Sequence, residues 1–344
     1  MINDDTPHAP TIMDVARRAG VSRAAVSKVL RDAKGVSPAM RERVNSAIDA
    51  LDYRPRISAR GMRGSTFTLG IEIPDFSNQF FSKVIDGATA ALSGGPYQLI
   101  VAPADPAHAK GYRAIQALAD RQADGVVAVS PMVDPEWLED LATRLPLVML
   151  GRHDASVNFD TVVGDDAVGA RLAVEHLLDL GHRDIAHLTL HDPIVQCHPG
   201  TPHGIRLATY KSVMDEAGLG DRIRVIRSDP GQDAAYRAMR PLLASSDRPT
   251  AVFAAHDEPA LGVLRALTEA GLTPQDVSLV GYDDSDIAGH PRMSLTSVNQ
   301  SGSRMGERTV RLLLERIAGR TDVVHEVIAP RLVVRGSSVA RSNR

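Results

Sequence analysis

Two hydrophobic rhythms divide the chain. Up to about residue 64 the apolar positions recur at helical spacing in short segments, and from Phe67 onward compact apolar runs alternate with amphipathic stretches. In the first region Ile12, Val15, Ala16 and Ala19 fall at i, i+3, i+4 and i+7 and predict a short helix. Thr11 can cap it with Asp14 three residues on, close to a capping box, and Gly20 ends it where the chain must turn. Ser22 then caps a second helix whose buried face is Val26, Val29 and Leu30. Small Ala16 and Ala25 suit two helices that cross closely. Ser37 and Pro38 open a third helix with the stripe Val44, Ala47, Ile48 and Leu51, halted at Asp52-Tyr53-Arg54-Pro55. Arg56 to Arg63 is a weak helical candidate, too short to be helical alone in water. Its Gly61 costs roughly 1 kcal/mol against Ala.

Beyond Phe67 the runs FTLGIEI, YQLIVA, GVVAVS, LPLVML, TVVG, DIAHLTL, RIRVIR, AVFAA and VSLVGY read as buried parallel strands. Helical candidates separate them at 80–92, 110–122, 135–143, 167–180, 205–217, 233–243 and 259–270. A helix over 303–318 and two last strands, HEVIAP and RLVVRG, close the chain. The pattern predicts an all-α helix-turn-helix headpiece followed by an α/β domain of two lobes with doubly wound parallel sheets.

Composition sharpens this division. The net charge of the 344 residues is only −3, yet residues 1–64 carry 12 Lys and Arg against 7 Asp and Glu. A basic end on an acidic body fits a protein that touches nucleic acid with one part only. The single cysteine, Cys197, excludes an internal disulfide and suits a reducing cytoplasm. MINDDTPHAP lacks the basic and apolar character of a signal peptide, and no stretch approaches a membrane span. Cytoplasmic localisation and no membrane partner are expected.

The second helix leaves Arg23, Ala24, Ser27, Lys28 and Arg31 on its outer side. Short side chains let such a helix sink into a major groove, while long cations reach guanine edges or phosphates. An ordinary solvated hairpin would explain the charges equally well, but not the joint agreement of turn, caps and packing residues.

In an open α/β sheet, ligands bind beyond the carboxyl ends of the strands. That selects Pro74-Asp75-Phe76, Ser130-Pro131, Gly151-Arg152, His191-Asp192, Ala255-His256-Asp257 and Tyr282-Asp283-Asp284. Polar groups with aromatic neighbours suit a hydroxyl-rich ligand.

The stretches DVARRAGVSRAAVSKVL, VSPAMRERVNSAIDALDYRP and ISARGMRG resemble the headpiece and hinge of the lac-repressor (LacI/GalR) family of bacterial regulators. IPDFSNQFF, VVGDDAVGARLAVEHLLDLGHRDIAHL, AVFAAHDEPALGVLRAL, DVSLVGYDD and PRLVVRGSS extend the resemblance over nearly the whole chain. It implies a periplasmic-binding-protein-like effector domain over 66–344, a headpiece over 1–55 and a hinge over 56–65. Thr11, Ser22, Arg23, Ala24, Ser27, Lys28, Arg31, Ser37, Tyr53, Arg56, Ala59 and Met62 become the expected DNA-binding residues. Met62 stands where an apolar residue, more usually leucine, wedges into the central base step of the minor groove. The hinge is expected to fold when two protomers meet on DNA.

The effector-binding residues expected are Asp75, Phe76, Phe80, Phe81, Ser130, Arg152, Arg206, Phe253, His256 and Asp283. By resemblance Phe81 and Phe253 flank the ligand from opposite lobes, and Arg206 and Asp283 grip vicinal hydroxyls. The alternative for this pair is a mutual salt bridge. His256 stands where many relatives carry Asn, and it titrates near neutral pH. HDPIVQCHPGTPHG, with His191, Cys197, His198 and His203, invites a metal-site reading, but its spacing matches no zinc motif.

No cofactor and no catalytic residue is expected. Gly-Asp-Asp at 164–166 and Tyr-Asp-Asp at 282–284 offer paired carboxylates, yet no G-x-S-x-G, P-loop or G-x-G-x-x-G lies between strand and helix. The expected function is an effector-controlled transcriptional repressor, bound as a homodimer to a pseudo-palindromic operator, with a sugar or sugar derivative as effector. A purine-type corepressor is the variant, because Phe81 and Phe253 could stack on a base. From other classes, a sugar-binding protein or an α/β enzyme shares the two-lobed fold, but neither explains the headpiece. RLVVRGSSVARSNR carries no leucine heptad, so a tetramer is not expected.

Overall fold

The computed structural model describes residues 10–30, 33, 35–53, 65–104, 111–191 and 200–341. The chain divides into two compact units, Met1–Thr66 and Phe67–Arg344.

The first unit holds three helices, α1 (Ile12–Ala19), α2 (Arg23–Leu30) and α3 (Pro38–Ala50). The Asp14 carboxylate accepts from both the Thr11 amide (2.9 Å) and the Thr11 hydroxyl (2.7 Å), fixing the entry to α1. Gly20 ends α1 at φ 66°, the left-handed geometry glycine adopts without a Cβ penalty. Ser22 accepts from the Ala25 amide at 3.2 Å, and Ser37 from the Met40 amide at 3.3 Å. Val15, Ala16, Ala19, Val26, Val29, Val44 and Ala47 are buried together, so the helical spacing of the sequence becomes one small core. Tyr53 joins it with 8 % of its surface exposed.

The second unit contains twelve strands and eight helices among the described residues. The first sheet runs β11-β5-β4-β3-β1-β2, using β1 (Thr68–Ile73), β2 (Gln98–Pro103), β3 (Gly125–Val129), β4 (Leu147–Leu150), β5 (Asp160–Gly164) and β11 (His325–Ile328). The second runs β12-β10-β9-β8-β6-β7, using β6 (Ile185–Leu190), β7 (Arg224–Ser228), β8 (Ala251–Ala254), β9 (Ser278–Tyr282), β10 (Thr296–Asn299) and β12 (Arg331–Val333). All pairings are parallel except β10 with β12. Strand β10 escaped the sequence pattern because TSVN carries one apolar residue. Its Thr296 and Ser297 are buried by hydrogen bonding, to Ser337 and Ser338 and to Asp257 respectively.

Helices α4 (Gln79–Ala91), α5 (Tyr112–Asp120) and α6 (Pro135–Ala142) flank the first sheet, while α7 (Asp166–Asp179), α8 (Pro202–Glu216), α9 (Gln232–Ala244) and α10 (Asp257–Glu269) flank the second. The last helix, α11 (Gly302–Ile317), crosses back and packs on α4. The chain therefore passes between lobes after β5, after β10 and between β11 and β12. Where α4 meets α11 the helices touch backbone to backbone. A Cβ at Gly87 would lie 1.8 Å from the Ser303 carbonyl oxygen, and one at Gly306 would lie 1.9 Å from that of Val84.

The lobes also meet through side chains. Asn78, which caps α4, donates to Asp283 after β9 at 3.2 Å. Lys83 of α4 donates to the Asp284 carbonyl oxygen at 2.6 Å and pairs with Asp286 at 3.0 Å. These contacts hold the carboxyl ends of both sheets towards one crevice.

Candidate functional site

On the headpiece, Arg23, Ala24 and Lys28 are exposed on α2 and Ser27 is half-buried. Thr11, Ser22 and Ser37 stand at the three helix entries, where their polar groups fix the helix starts. Tyr53 departs from expectation: its ring fills the three-helix core rather than standing on the surface. Arg31, Arg56, Ala59 and Met62 lie outside the described residues.

In the crevice, Arg206 anchors the second lobe. Position 206 is one turn into α8, and Thr201 caps that helix through the Gly204 amide at 3.3 Å. Its guanidinium donates to Asp166 Oδ1 from Nε at 2.8 Å and from Nη2 at 2.7 Å, and to the Ala255 carbonyl from Nη1 at 2.7 Å. Its Cζ lies 3.6 Å from the Tyr282 ring centroid, a cation–π contact. Burial opposes ionisation of Asp166, but the Arg206 charge and the His153 and Arg206 hydrogen bonds outweigh it and hold the carboxyl below its usual range. His153 Nε2, from the loop after β4, sits 2.9 Å from the second Asp166 oxygen. The salt bridge of Arg206 is thus with Asp166, not with Asp283.

Asp283 is held separately. It takes a φ of 107°, a left-handed geometry costly for a residue with a Cβ. Gln300 donates to one of its oxygens at 2.6 Å and Asn78 to the other at 3.2 Å. Burial pushes this carboxyl up to about 7, against the lowering effect of Arg206.

Two imidazoles stand beside Arg206. His256 follows β8 and precedes α10, while His203 lies three residues before Arg206 on α8, hence on the same face. Their rings meet edge to face with centroids 5.4 Å apart. Burial, then the Arg206 charge, pushes His256 down to about 3, although Asp75 opposes this. Burial, His256 and Arg206 hold His203 well below its ordinary value. Neither Nδ1 has a hydrogen-bond partner among the described residues.

Several expected ligand contacts are structural instead. Arg152 is fully buried and donates to the Pro131 and Val133 carbonyls at 2.6 and 2.9 Å while pairing with Asp154, so it staples first-lobe loops together. Phe253 is wholly buried within β8, stacked on His187 at 4.7 Å, because its side chain points into the sheet's core face. Phe80 is buried in the first-lobe core beside Phe81, which is half-buried. Ser130 gives its hydroxyl to the Leu150 carbonyl at 3.3 Å. Asp75 caps its own loop through Ser77 and Asn78, and Phe76 stands exposed. Tyr282 was among the strand-end residues selected, whereas Asp166, His153, His203, Asn78 and Gln300 were not singled out as effector-binding residues. The one legible signal was His203 one helical turn before Arg206.

Among the described residues no group of three or more His, Cys, Asp or Glu could hold a metal ion. Cys197 and His198 lie outside the described residues. No described helix is long and apolar enough to cross a membrane.

Residues 11–56 match the family model described as bacterial regulatory proteins, lacI family, and residues 174–338 match a periplasmic binding protein-like domain. The HTH-type transcriptional repressor PurR of Vibrio atlanticus is 33 % identical, covering 89 % of this chain and 92 % of the relative. The chain belongs to the lacI family. Among solved structures, a complex of the transcriptional regulator CelR with cellobiose is 33 % identical, with a TM-score of 0.68 and coverage of 95 % of this chain and 99 % of that one. The lac repressor dimer bound to operator and the anti-inducer ONPF is 26 % identical, with a TM-score of 0.78 and coverage of 97 % and 100 %. This lacI-family chain is a DNA-binding transcriptional repressor with a small-molecule effector, not an enzyme.

Proposed function

We propose that the protein works in the cytoplasm as a homodimer on a two-fold operator, with α2 in the major groove and Arg23, Ala24 and Lys28 meeting the DNA. The observation that carries this reading is the Gly20 turn and Ser22 cap that present those three residues on one exposed helix start. Two such heads match a pseudo-palindrome by symmetry.

The crevice between the lobes takes the effector, and its polar wall of Arg206, Asp166, Asp283, His203 and His256 suits a sugar or sugar derivative. The CelR structure with cellobiose supports that class. A purine-type ligand is the variant: of the two rings expected to stack on a base, Phe253 is buried in the core, while Phe81 is half-buried. Ligand exchange alters the Asn78–Asp283 and Lys83–Asp284 contacts and so the operator affinity, a coupling of about 1–3 kcal/mol.

The test is sedimentation of the full chain with a duplex from its own upstream region. Two protomers per duplex, with no comparable complex on scrambled DNA, support the reading. Equal binding to both duplexes overturns it.

A further inference from the structure

The stretch Val334–Arg341, which follows β12, is held to the second lobe by polar contacts. Its buried residues are Ser337 and Ser338, whereas Val334 is exposed and Val339 half-buried. The Ser337 carbonyl accepts from the Leu279 amide at 2.7 Å, and its hydroxyl donates to the Leu279 carbonyl at 2.6 Å. Its amide donates to the Ser294 carbonyl at 2.9 Å. Further on, the Val339 amide donates to the Ser278 hydroxyl at 3.0 Å and the Arg341 amide to the Leu180 carbonyl at 2.8 Å. A segment that buries no large apolar side chain and hangs on hydrogen bonds opens at lower cost than the core beside it.

Two histidines close its far end. His182, just past α7, has Nε2 3.0 Å from the Val339 carbonyl and Nδ1 3.1 Å from the Thr250 hydroxyl. A carbonyl only accepts, so Nε2 carries the hydrogen, and Nδ1 of the neutral ring accepts from Thr250. His176, in the last turn of α7, has Nε2 2.8 Å from the Ser338 hydroxyl. Ser338 lies 2.7 Å from the Thr296 hydroxyl, which donates to the Arg335 carbonyl at 3.2 Å. A relay thus runs from His176 through Ser338 and Thr296 to Arg335. The Arg335 guanidinium donates to the Leu295 carbonyl at 2.7 Å and to Asp284 at 2.6 Å. Asp284 is also the residue whose carbonyl receives Lys83 from the first lobe. One end of the stretch therefore sits at the lobe seam and the other on two imidazoles.

We propose that Arg335–Arg341 is a proton-operated strap: neutral His176 and His182 keep it fastened, and their protonation unfastens it and loosens Arg335 from the lobe seam.

The charges around the pair favour this response. Arg341, on the strap itself, and Arg183, next in the chain, both place positive potential on His182, as does His176. Asp179 of α7 is the carboxylate that acts on His176. The Asp184 side chain is turned to Arg224 at 3.9 Å, and Thr250, Ser278 and Ser338 carry no charge. A proton on His182 therefore meets two guanidinium groups, one belonging to the segment that the ring holds. Release of the strap relieves that repulsion and lets water reach both rings. Burial, more than any charge, lowers both imidazoles from 6.5, against the opposing effects of Asp179 at His176 and the Val339 bond at His182. Unfastening restores the ordinary value. Fastening is thus at full strength above 6.5 and weakens as the pH falls below it.

The experiment follows amide hydrogen exchange of the full chain at about pH 7.5 and about pH 5, with rates corrected for their intrinsic pH dependence. The expected result is an at least tenfold loss of protection over 334–341 at the lower pH, while β4 and β8 stay protected. The double variant His176→Gln/His182→Gln replaces each ring by a neutral donor and should keep the strap protected at both values. If that variant is open at both, the wild-type rings decide. Their carbon-bound protons, followed by nuclear magnetic resonance, should titrate with the same midpoint as the opening of the Val339 and Arg341 amides. A strap still protected at the lower pH overturns the inference. So does an equal acid-induced loss in the double variant, a loss shared by β4 and β8, or an opening whose midpoint departs from that of both rings.

Discussion

Arg206 Nη2 lies 2.7 Å from Asp166 Oδ1, and both side chains are buried. The pair joins α8 to the first turn of α7, the helix the chain enters immediately after crossing from the first lobe. It is thus a structural clamp at the crevice floor. Arg206→Ala strands a buried carboxylate and is expected to cost about 3–5 kcal/mol. In urea titrations the double variant Arg206→Ala/Asp166→Ala should lose less than the sum of the single losses. Strict additivity would show that the two do not act as a pair.

A second expectation concerns α4 and α11. Gly87→Ala and Gly306→Ala each force a methyl into a carbonyl of the facing helix. Neither backbone can retreat without separating the first-lobe core, so each variant should lose about 1–3 kcal/mol or more. Thermal melting of the second unit reads this. An unchanged midpoint would mean that the helices are further apart.

Glu72 gives a pH signature. It is buried in β1, with one oxygen accepting from the Val129 amide at 3.0 Å and the other without a partner among the described residues. Burial, only partly offset by that hydrogen bond, pushes its carboxyl up to about 8 from 4.5. Between those values the folded state keeps a proton that the unfolded state releases, so stability falls as pH rises. His187 and His256, pushed down to about 3, work in the opposite sense. Below about 6.5 the unfolded chain binds protons the folded chain refuses, so their contribution rises with pH and is complete by then. From about 6.5 to 8 the carboxyl effects remain, joined by Asp283 up to about 7. Glu72→Gln should therefore flatten the decline of the melting temperature over that interval. A gain on the order of a few kcal/mol is expected at its upper end. A slope identical to that of the parent chain would contradict the assignment.

On the DNA side Lys28 and Arg23 should separate. Lys28→Ala is expected to weaken binding to all sequences alike and to lower the salt slope by about 1. Arg23→Ala, at the start of α2, should cost about 1–3 kcal/mol on the preferred duplex and relax the preference at one base. Identical salt and sequence profiles for the two variants would refute this division.

The sequence was most legible where period and punctuation agree. The Thr11–Asp14 cap, the Gly20 turn and the run of parallel strands all followed from local chemistry. Strand β10 was not visible because its burial is achieved by hydroxyl hydrogen bonds rather than apolar residues. The same limit applied to the crevice. Arg152, Phe253 and Tyr53 occupy suggestive positions in the chain, but whether a side chain faces a ligand or a core depends on the packing around it. The partner of Arg206 was hidden for a related reason. Asp166 is 40 residues away and reaches Arg206 only because α7 changes lobes.

The most direct measurement of the central claim is titration of fluorescent upstream DNA at fixed salt, with and without each of a panel of neutral saccharides such as glucose, ribose and cellobiose. Tight, salt-sensitive binding that one saccharide changes at least tenfold is expected. That change should be lost in His203→Phe while binding without saccharide persists. Binding no tighter than to random DNA, with every saccharide silent, would contradict the account of an effector-controlled operator binder.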